Sequence, residues 1–336
     1  MKILFIDHIF HKQTRSSDFF VDILESFSSV DIVYIDPDLT NKNLLEGVCL
    51  SEYDRICFWQ IMPKSHEISL LPKNRTILIP MYDACCTWTY RKWSQFRGFR
   101  FITFCEKIHN ILLDLGIASC SVKYVPEIVR PDSLADSKKK TAFIWKRTPN
   151  FNLPLVIQMF KRNGIDKIIC HGVSENQRYE DRDIDIEYTN GWFKTHEDYL
   201  GILLKCNYFF APRLYEGIGM GFLEAMGLGL CVISPNQATM NEYIVDNVNG
   251  YLFDNLKDIS FDISQWELVS ENSIRTYNSI RSDWDTYRSR ITEFIMSEVS
   301  LSKKKCYLKF IRKDMLLLYN YRLKYFIKRK LNLLYY

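Results

Sequence analysis

Two carboxylates eight positions apart, Glu216 and Glu224, bracket Gly217, Gly219 and Gly221 in the run YEGIGMGFLEAM. Glycine lets a backbone come close to a ligand, and a helix that starts in such a loop turns unbonded N–H groups and the positive end of its dipole toward an anion. A diphosphate resting at residues 217–221 leaves one carboxylate in the loop and the other a turn or so into the helix. Each could accept hydrogen bonds from hydroxyls on one side of that diphosphate. Two sugars flanking a diphosphate describe a nucleotide sugar. The alternative for Glu224 is an ordinary exposed helix carboxylate.

Elements that would hold this segment are legible on both sides of it. Short β-branched or aromatic runs alternate with longer helical stretches, the pattern of parallel sheets covered by helices. The first half offers strands at 2–7, 31–35, 55–60, 76–80, 99–104 and 121–125, and helices around 17–28 and 106–115, the latter stopped by Gly116. The polar run PDSLADSKKK, 131–140, reads as a linker. Alternation then restarts with strands at 141–145, 167–170, 185–188, 208–211, 230–234 and 251–253, and helices near 154–163, 196–205 and 219–226. No fixed-period repeat is apparent. The expectation is two Rossmann-like α/β domains, 1–135 and 136–298, followed by a basic tail, 299–336. Doubly wound domains bind ligands at the carboxyl ends of their strands, so the chemistry is expected in a cleft.

Composition narrows the classes. Over 336 residues, 47% are hydrophobic and 25% charged, which excludes wholesale disorder and a single tiny stapled domain. The ten cysteines are scattered without a CxxC and read as small buried hydrophobes in a reducing compartment. Asp7 interrupts the first apolar run before a signal-peptide core forms, and the longest uncharged stretch, 225–241, contains Gly, Pro, Asn and Gln unsuited to a spanning helix. The net charge of +4 hides an asymmetry: residues 303–336 hold eleven Lys/Arg against one acid, Asp314, leaving −6 on the rest. Leucines, tyrosines and phenylalanines lie between those charges, a composition suited to helices resting on anionic lipid. The same residues could instead form helices docked on the body, and nucleic acid is disfavoured because no groove-reading motif accompanies the charge. Asp181, Asp183 and Asp185 read as a solvated loop rather than a metal site. A phosphate-binding P-loop and a GxGxxG after the first strand are both missing, which argues against an ATPase or a dehydrogenase, and no Gly-x-Ser-x-Gly elbow occurs.

The stretch from Tyr208 to Asp254 resembles the donor-binding core of the GT-B glycosyltransferases, in particular the large retaining family called glycosyl transferases group 1. That family's signature is a Glu, seven residues and a second Glu within a run such as EGFGLPLLEAMACGTPVV. The matching positions are Glu216, Gly217, Gly219, Leu223, Glu224, Ala225, Met226, Gly229, Val232 and Ile233. A later family run, P-E-I-V followed by G-N-G-x-L-F, meets Glu242, Tyr243, Ile244, Val245, Asn249, Gly250, Leu252 and Phe253. The resemblance implies a GT-B fold and retaining transfer of a sugar from a nucleotide diphosphate sugar. It puts Glu224 on the ribose hydroxyls, Glu216 beside the reacting carbon of the donor sugar, and the backbone of Gly217, Ile218, Gly219, Met220 and Gly221 against the diphosphate or sugar. More weakly it extends over 141–253, with Lys146 and Arg147 in the region of the family's phosphate-binding basic residues. Trp145 replaces the usual glycine there, and no later Lys follows at the expected spacing. Gly172 and Gly191 match glycines of the next two strands. Arg213, standing where Ser is usual, either reaches the diphosphate or is a solvated loop residue.

The first half departs further from the family, as an acceptor-binding domain would. The run IPMYDACCTWTYRKW sets Tyr82 and Asp83 just after the fourth strand, followed by Trp88, Tyr90 and Trp93. Tyr82 and Trp88 suit contact with a sugar acceptor, and Asp83 could hold or deprotonate its hydroxyl; otherwise the rings are core and Asp83 a helix cap. His8 and His11, after the first strand, are substrate contacts or bystanders. Together the expectation is a hexosyltransferase-type enzyme needing neither metal nor other cofactor, with Glu216 and Asp83 catalytic. It would work in the cytoplasm, peripheral on the inner face of the plasma membrane, on a lipid-linked or soluble glycan acceptor in O-antigen or capsule assembly. The rivals are a nucleotide-sugar epimerase of the same fold and a catalytically silent binding subunit.

Overall fold

The computed structural model describes residues 1–36, 47–129, 140–147 and 152–298. Most of the expected linker and the whole basic tail, 299–336, lie outside the described residues. The chain divides into two compact units. One comprises Met1–Lys123 with the segment from Asp283, and the other centres on Tyr124–Ser282.

The first unit is built on six parallel strands: β1 (Lys2–His8), β2 (Ser29–Ile35), β3 (Arg55–Trp59), β4 (Thr76–Ile79), β5 (Arg100–Thr103) and β6 (Ala118–Ser121). Their order is β2-β1-β3-β4-β5-β6. The inner strands read as unbroken apolar runs such as ILFI and ICFW because both sheet faces are covered. Covering them are α1 (Ile9–Thr14), α2 (Asp18–Glu25), α3 (Tyr82–Cys85), α4 (Tyr90–Trp93) and α5 (Glu106–Asp114). Phe20 of α2 lies 5.0 Å from Trp59 and 6.1 Å from Phe5, fastening that helix to the sheet. Truncating a buried ring of this kind costs about 3–5 kcal/mol.

The last strand differs from the expectation of 121–125. Residue pairing runs from Arg100↔Ala118 to Thr103↔Ser121, so the strand begins directly after the Gly116 turn that ends α5. Pairing with β5 overrides the β-branched and aromatic preference of the following residues.

The second unit repeats the architecture with β7 (Thr141–Trp145), β8 (Lys167–His171), β9 (Asp185–Thr189), β10 (Tyr208–Phe210), β11 (Cys231–Pro235) and β12 (Tyr251–Phe253). Every pair is parallel, in the order β12-β11-β10-β7-β8-β9. The helices are α6 (Leu153–Arg162), α7 (His196–Leu203), α8 (Met220–Leu228) and α9 (Trp266–Ser282). For α6 the start is fixed by Asn152, whose side chain accepts from Leu155 N–H, and by a proline in the first turn, where its missing N–H costs nothing. Val156, Ile157 and Phe160 on its inner face are fully buried.

After α9 the chain returns to the first unit as α10 (Trp284–Met296), whereas the sequence placed everything to 298 in the second domain. Two arginines of the first sheet hold its carboxyl end. Arg55 Nε donates to Ile295 O at 2.7 Å, and Arg100 Nη1 donates to Ser297 O at 3.0 Å with its guanidinium 4.4 Å over the Phe294 ring. A cation at a helix C-terminus meets the negative end of the dipole, which compensates a guanidinium whose pKa burial lowers to about 10.

Burial also raises the thiols of Cys57, Cys170, Cys206 and Cys231 to about 12, so they stay neutral and unreactive. Among the described residues no helix is long and apolar enough to cross a membrane.

Candidate functional site

In the second sheet the chain starts at β7, moves outward to β8 and β9, and returns through α7 to β10 on the other side of β7. The loops leaving β7 and β10 therefore part in opposite directions, and the crevice at such a switch point is where open α/β sheets bind ligands. Trp145 ends β7, and Lys146 and Arg147 follow it. The loop after β10 carries Arg213, Glu216 and the glycines.

Glu216 is mostly buried, its side chain 13% exposed, and Arg213 Nη1 donates to its Oε2 at 3.0 Å. Arg213 thus holds a carboxylate of the site. Gly217 and Ile218 are buried. Gly219 then begins α8 with φ +85°, and a Cβ there would fall 2.0 Å from Phe222 Cε1. Among the described residues no side chain caps this helix, and the first N–H groups of a helix have no partner within it, an arrangement that suits an anion. The other end is anchored: Ser270 Oγ donates to Gly229 O and Ser273 Oγ to Met226 O. Residues Phe222 to Leu228 are all buried, which makes α8 a fixed platform rather than a surface helix.

Glu224 is accordingly no ordinary exposed helix acid. Its side chain is 10% exposed and its Oε1 lies 2.8 Å from His196 Nε2. His196 opens α7, which Thr195 and Asp198 cap reciprocally through each other's backbone N–H groups. The hydrogen bond to Glu224 raises the His196 pKa above the usual imidazole value, outweighing desolvation. The sequence did not single out His196. Its partner Glu224 stands 28 residues away, so no local pattern pairs the two.

Lys146 is half-buried, donates to the side-chain oxygen of Gln177, and has its pKa lowered by desolvation. Arg147 is exposed and lies 5.1 Å over the Trp145 ring. The aspartate trio is tied up by lysines: Lys161 Nζ is 2.9 Å from Asp181 and 2.5 Å from Asp183, and Lys167 is 3.8 Å from Asp185. Among the described residues no cluster of His, Cys, Asp and Glu could hold a metal ion.

The first unit has its own switch point, between β1 and β3, and a cavity of about 280 Å³ opens there. His8, Gln60, Met62, Met81, Cys85 and Trp88 are in its lining. Gln60 holds φ +62°, a left-handed conformation that costs a non-glycine residue about 1–3 kcal/mol and concentrates at functional sites. His8 Nδ1 accepts Phe10 N–H at 3.1 Å, so its ring proton resides on Nε2. Asp7, fully buried, accepts from Ser17 Oγ and contacts His11 Nδ1, each at 2.6 Å.

Of the acceptor candidates, Trp88 lines the cavity, while Tyr82 is buried with Lys107 Nζ 5.2 Å over its ring. Asp83, on α3, accepts Ala84 N–H at 3.0 Å, and Ala84 is part of the cavity wall.

Two Rossmann-like parallel units in one chain define the GT-B fold, and solved structures share it. Anabaena HepE in complex with UDP and glucose aligns at 15% identity over 87% of this chain and 98% of that one, with TM-score 0.58. Sucrose-phosphate synthase from Thermosynechococcus elongatus aligns at 9% identity over 87% and 98%, TM-score 0.61. The apo form of WaaB, a lipopolysaccharide outer core galactosyltransferase, aligns at 13% identity over 89% and 100%, TM-score 0.58. Residues 127–278, nearly all of the second unit, match the profile of the family Glycosyl transferases group 1. No curated protein matches the chain in sequence.

Proposed function

We infer that this protein transfers a sugar from a nucleotide diphosphate sugar to a hydroxyl of a glycan acceptor. The observation that carries the reading is the buried carboxylate of Glu224, beside an uncapped helix start at the switch point of the second sheet. Glu224 accepts hydrogen bonds from the ribose hydroxyls, and the backbone N–H groups of Gly217, Ile218, Gly219, Met220 and Gly221 receive the diphosphate. The crystal complex of HepE with UDP and glucose supports this, since that protein shares the fold.

When the bond from the anomeric carbon to the diphosphate oxygen breaks, the electron pair leaves with the phosphate and positive charge grows on the sugar. Preorganised N–H groups and cations stabilise the leaving group, a part for Lys146, Arg147 and Arg213 without metal. Glu216 faces the cationic sugar. The acceptor oxygen bonds to the anomeric carbon on the face the diphosphate leaves, retaining configuration, and its proton passes to the departing diphosphate. In the first unit, Asp83 is read as a contact to an acceptor hydroxyl and Trp88 as a contact to an acceptor sugar ring.

The test is thermal stabilisation by a panel of UDP-, GDP-, ADP-, CDP- and dTDP-sugars, followed by nucleotide release with and without acceptor and with chelator present. Ligand at 100 times its Kd stabilises the folded state by about 2.7 kcal/mol; no stabilisation by any donor would sink the reading. Release without acceptor would favour an epimerase. Glu224→Gln should weaken donor binding by about 1–3 kcal/mol by removing a charge-assisted hydrogen bond, and calorimetry giving equal affinity would contradict the ribose assignment.

The basic, aromatic sequence of 303–336 supports peripheral attachment to the anionic inner face of the plasma membrane, where a lipid-linked glycan for O-antigen or capsule is assembled. WaaB, which shares the fold, is described as a lipopolysaccharide outer core galactosyltransferase. Each basic group near anionic lipid contributes roughly 1 kcal/mol, so truncation before Lys303 should move the protein from membrane to soluble fractions. Unchanged partition would mean instead that the tail docks on the protein body.

A further inference from the structure

A nucleotide whose ribose is held by Glu224 must put its base within a few ångströms of that carboxylate, and the second unit is aromatic beside it. The ring of His196, bonded to Glu224, lies 6.0 Å from Tyr199, and Tyr199 lies 5.3 Å from Trp145. Trp145 in turn meets Phe193 at 5.6 Å and Trp192 at 6.3 Å, all at the carboxyl ends of β7 and β9. The inner rings are fixed: Tyr199 is buried, and Phe193 stacks on buried His171 at 4.2 Å. Trp192 is the exception, 59% exposed on top of this rigid base. An indole exposed at the carboxyl ends of the strands, with Trp145 beside it, offers a planar ring face for stacking. Trp145 adds a departure of this chain's own, since an indole stands where the resembling family has glycine.

We propose that Trp192, supported by Trp145, is the wall on which the base of the donor nucleotide stacks. The proposal rests on the donor-site reading above and adds how this chain grips the base. An aromatic face is offered to any planar base, so affinity should follow ring area, with purine nucleotides held at least as well as pyrimidine ones. Selection by base identity would then fall to other groups.

The experiment compares wild type, Trp192→Ala and Trp192→Phe for binding of UDP and GDP by calorimetry, and for competition by inorganic pyrophosphate, which has no base. Trp192→Ala should weaken both nucleotides roughly 5- to 150-fold, the range for loss of one base–aromatic stack. Trp192→Phe should recover most of that loss, and pyrophosphate should compete equally in all three proteins. Nucleotide binding unchanged in Trp192→Ala would overturn the stacking assignment while leaving the donor site standing. Equal weakening of pyrophosphate would overturn it too, because the lesion would then be a general one. Absence of nucleotide binding in the wild type would remove the donor-site reading and this proposal with it.

Discussion

Glu216→Ala is expected to lower kcat by roughly 10²- to 10³-fold, the usual cost of removing one group that meets charge developing in the transition state. The side chain is 13% exposed, fixed by Arg213 at 3.0 Å, and sits in the loop that enters α8 from the switch point. A carboxylate so placed is held before any ligand arrives, so it needs little reorganisation when positive charge appears on the sugar. Its contribution should therefore fall mainly on kcat, with the donor KM much less affected, because the ground-state sugar is neutral. Glu216→Gln separates shape from charge: if charge is what matters, the amide should be nearly as slow as the alanine. Initial rates with the donor that supports turnover would decide it. Unchanged kcat in both variants would remove Glu216 from the reaction, and a large rise in KM alone would make it a ground-state contact.

The parts of this protein that could be read from the chain are those whose determinants lie close together in sequence. Glu216, Gly219 and Glu224 fall within one loop and one helix, so the glycine at the helix start and the second acid on the helix could be read from their spacing. The strands were legible because sheets covered on both faces demand apolar runs. What escaped was set by distant contacts. His196 reaches Glu224 across 28 residues, and Arg55 captures the end of α10 from 240 residues away, so nothing local indicated that the chain re-enters its first unit. Tyr82 and Trp88 carried equal weight as acceptor contacts in sequence, yet one is buried and the other lines a cavity. Aromatic residues near a strand end serve core and binding surface alike, and only packing separates the two.

The same loop should show a second large effect, on stability. Gly219→Ala puts a Cβ 2.0 Å from the ring of Phe222, a residue 2% exposed and packed edge-on against Tyr243 at 5.8 Å. The ring has little room to retreat, and φ at +85° is itself costly for any L side chain. Backbone strain of about 1–3 kcal/mol and overpacking of about 1–3 kcal/mol together predict a loss of about 2–6 kcal/mol. Gly191 supplies the internal control, because its φ is +90° but an added Cβ meets nothing within 4 Å. Gly191→Ala should then cost only the backbone share, about 1–3 kcal/mol. Denaturant unfolding of the two variants measures the difference, which isolates the steric contribution. Equal losses would mean that Phe222 yields freely and that α8 does not start from a rigid point. The variant should also bind donor poorly even where it remains folded, since relieving the clash must move the first turn of α8, and with it the N–H groups assigned to the diphosphate.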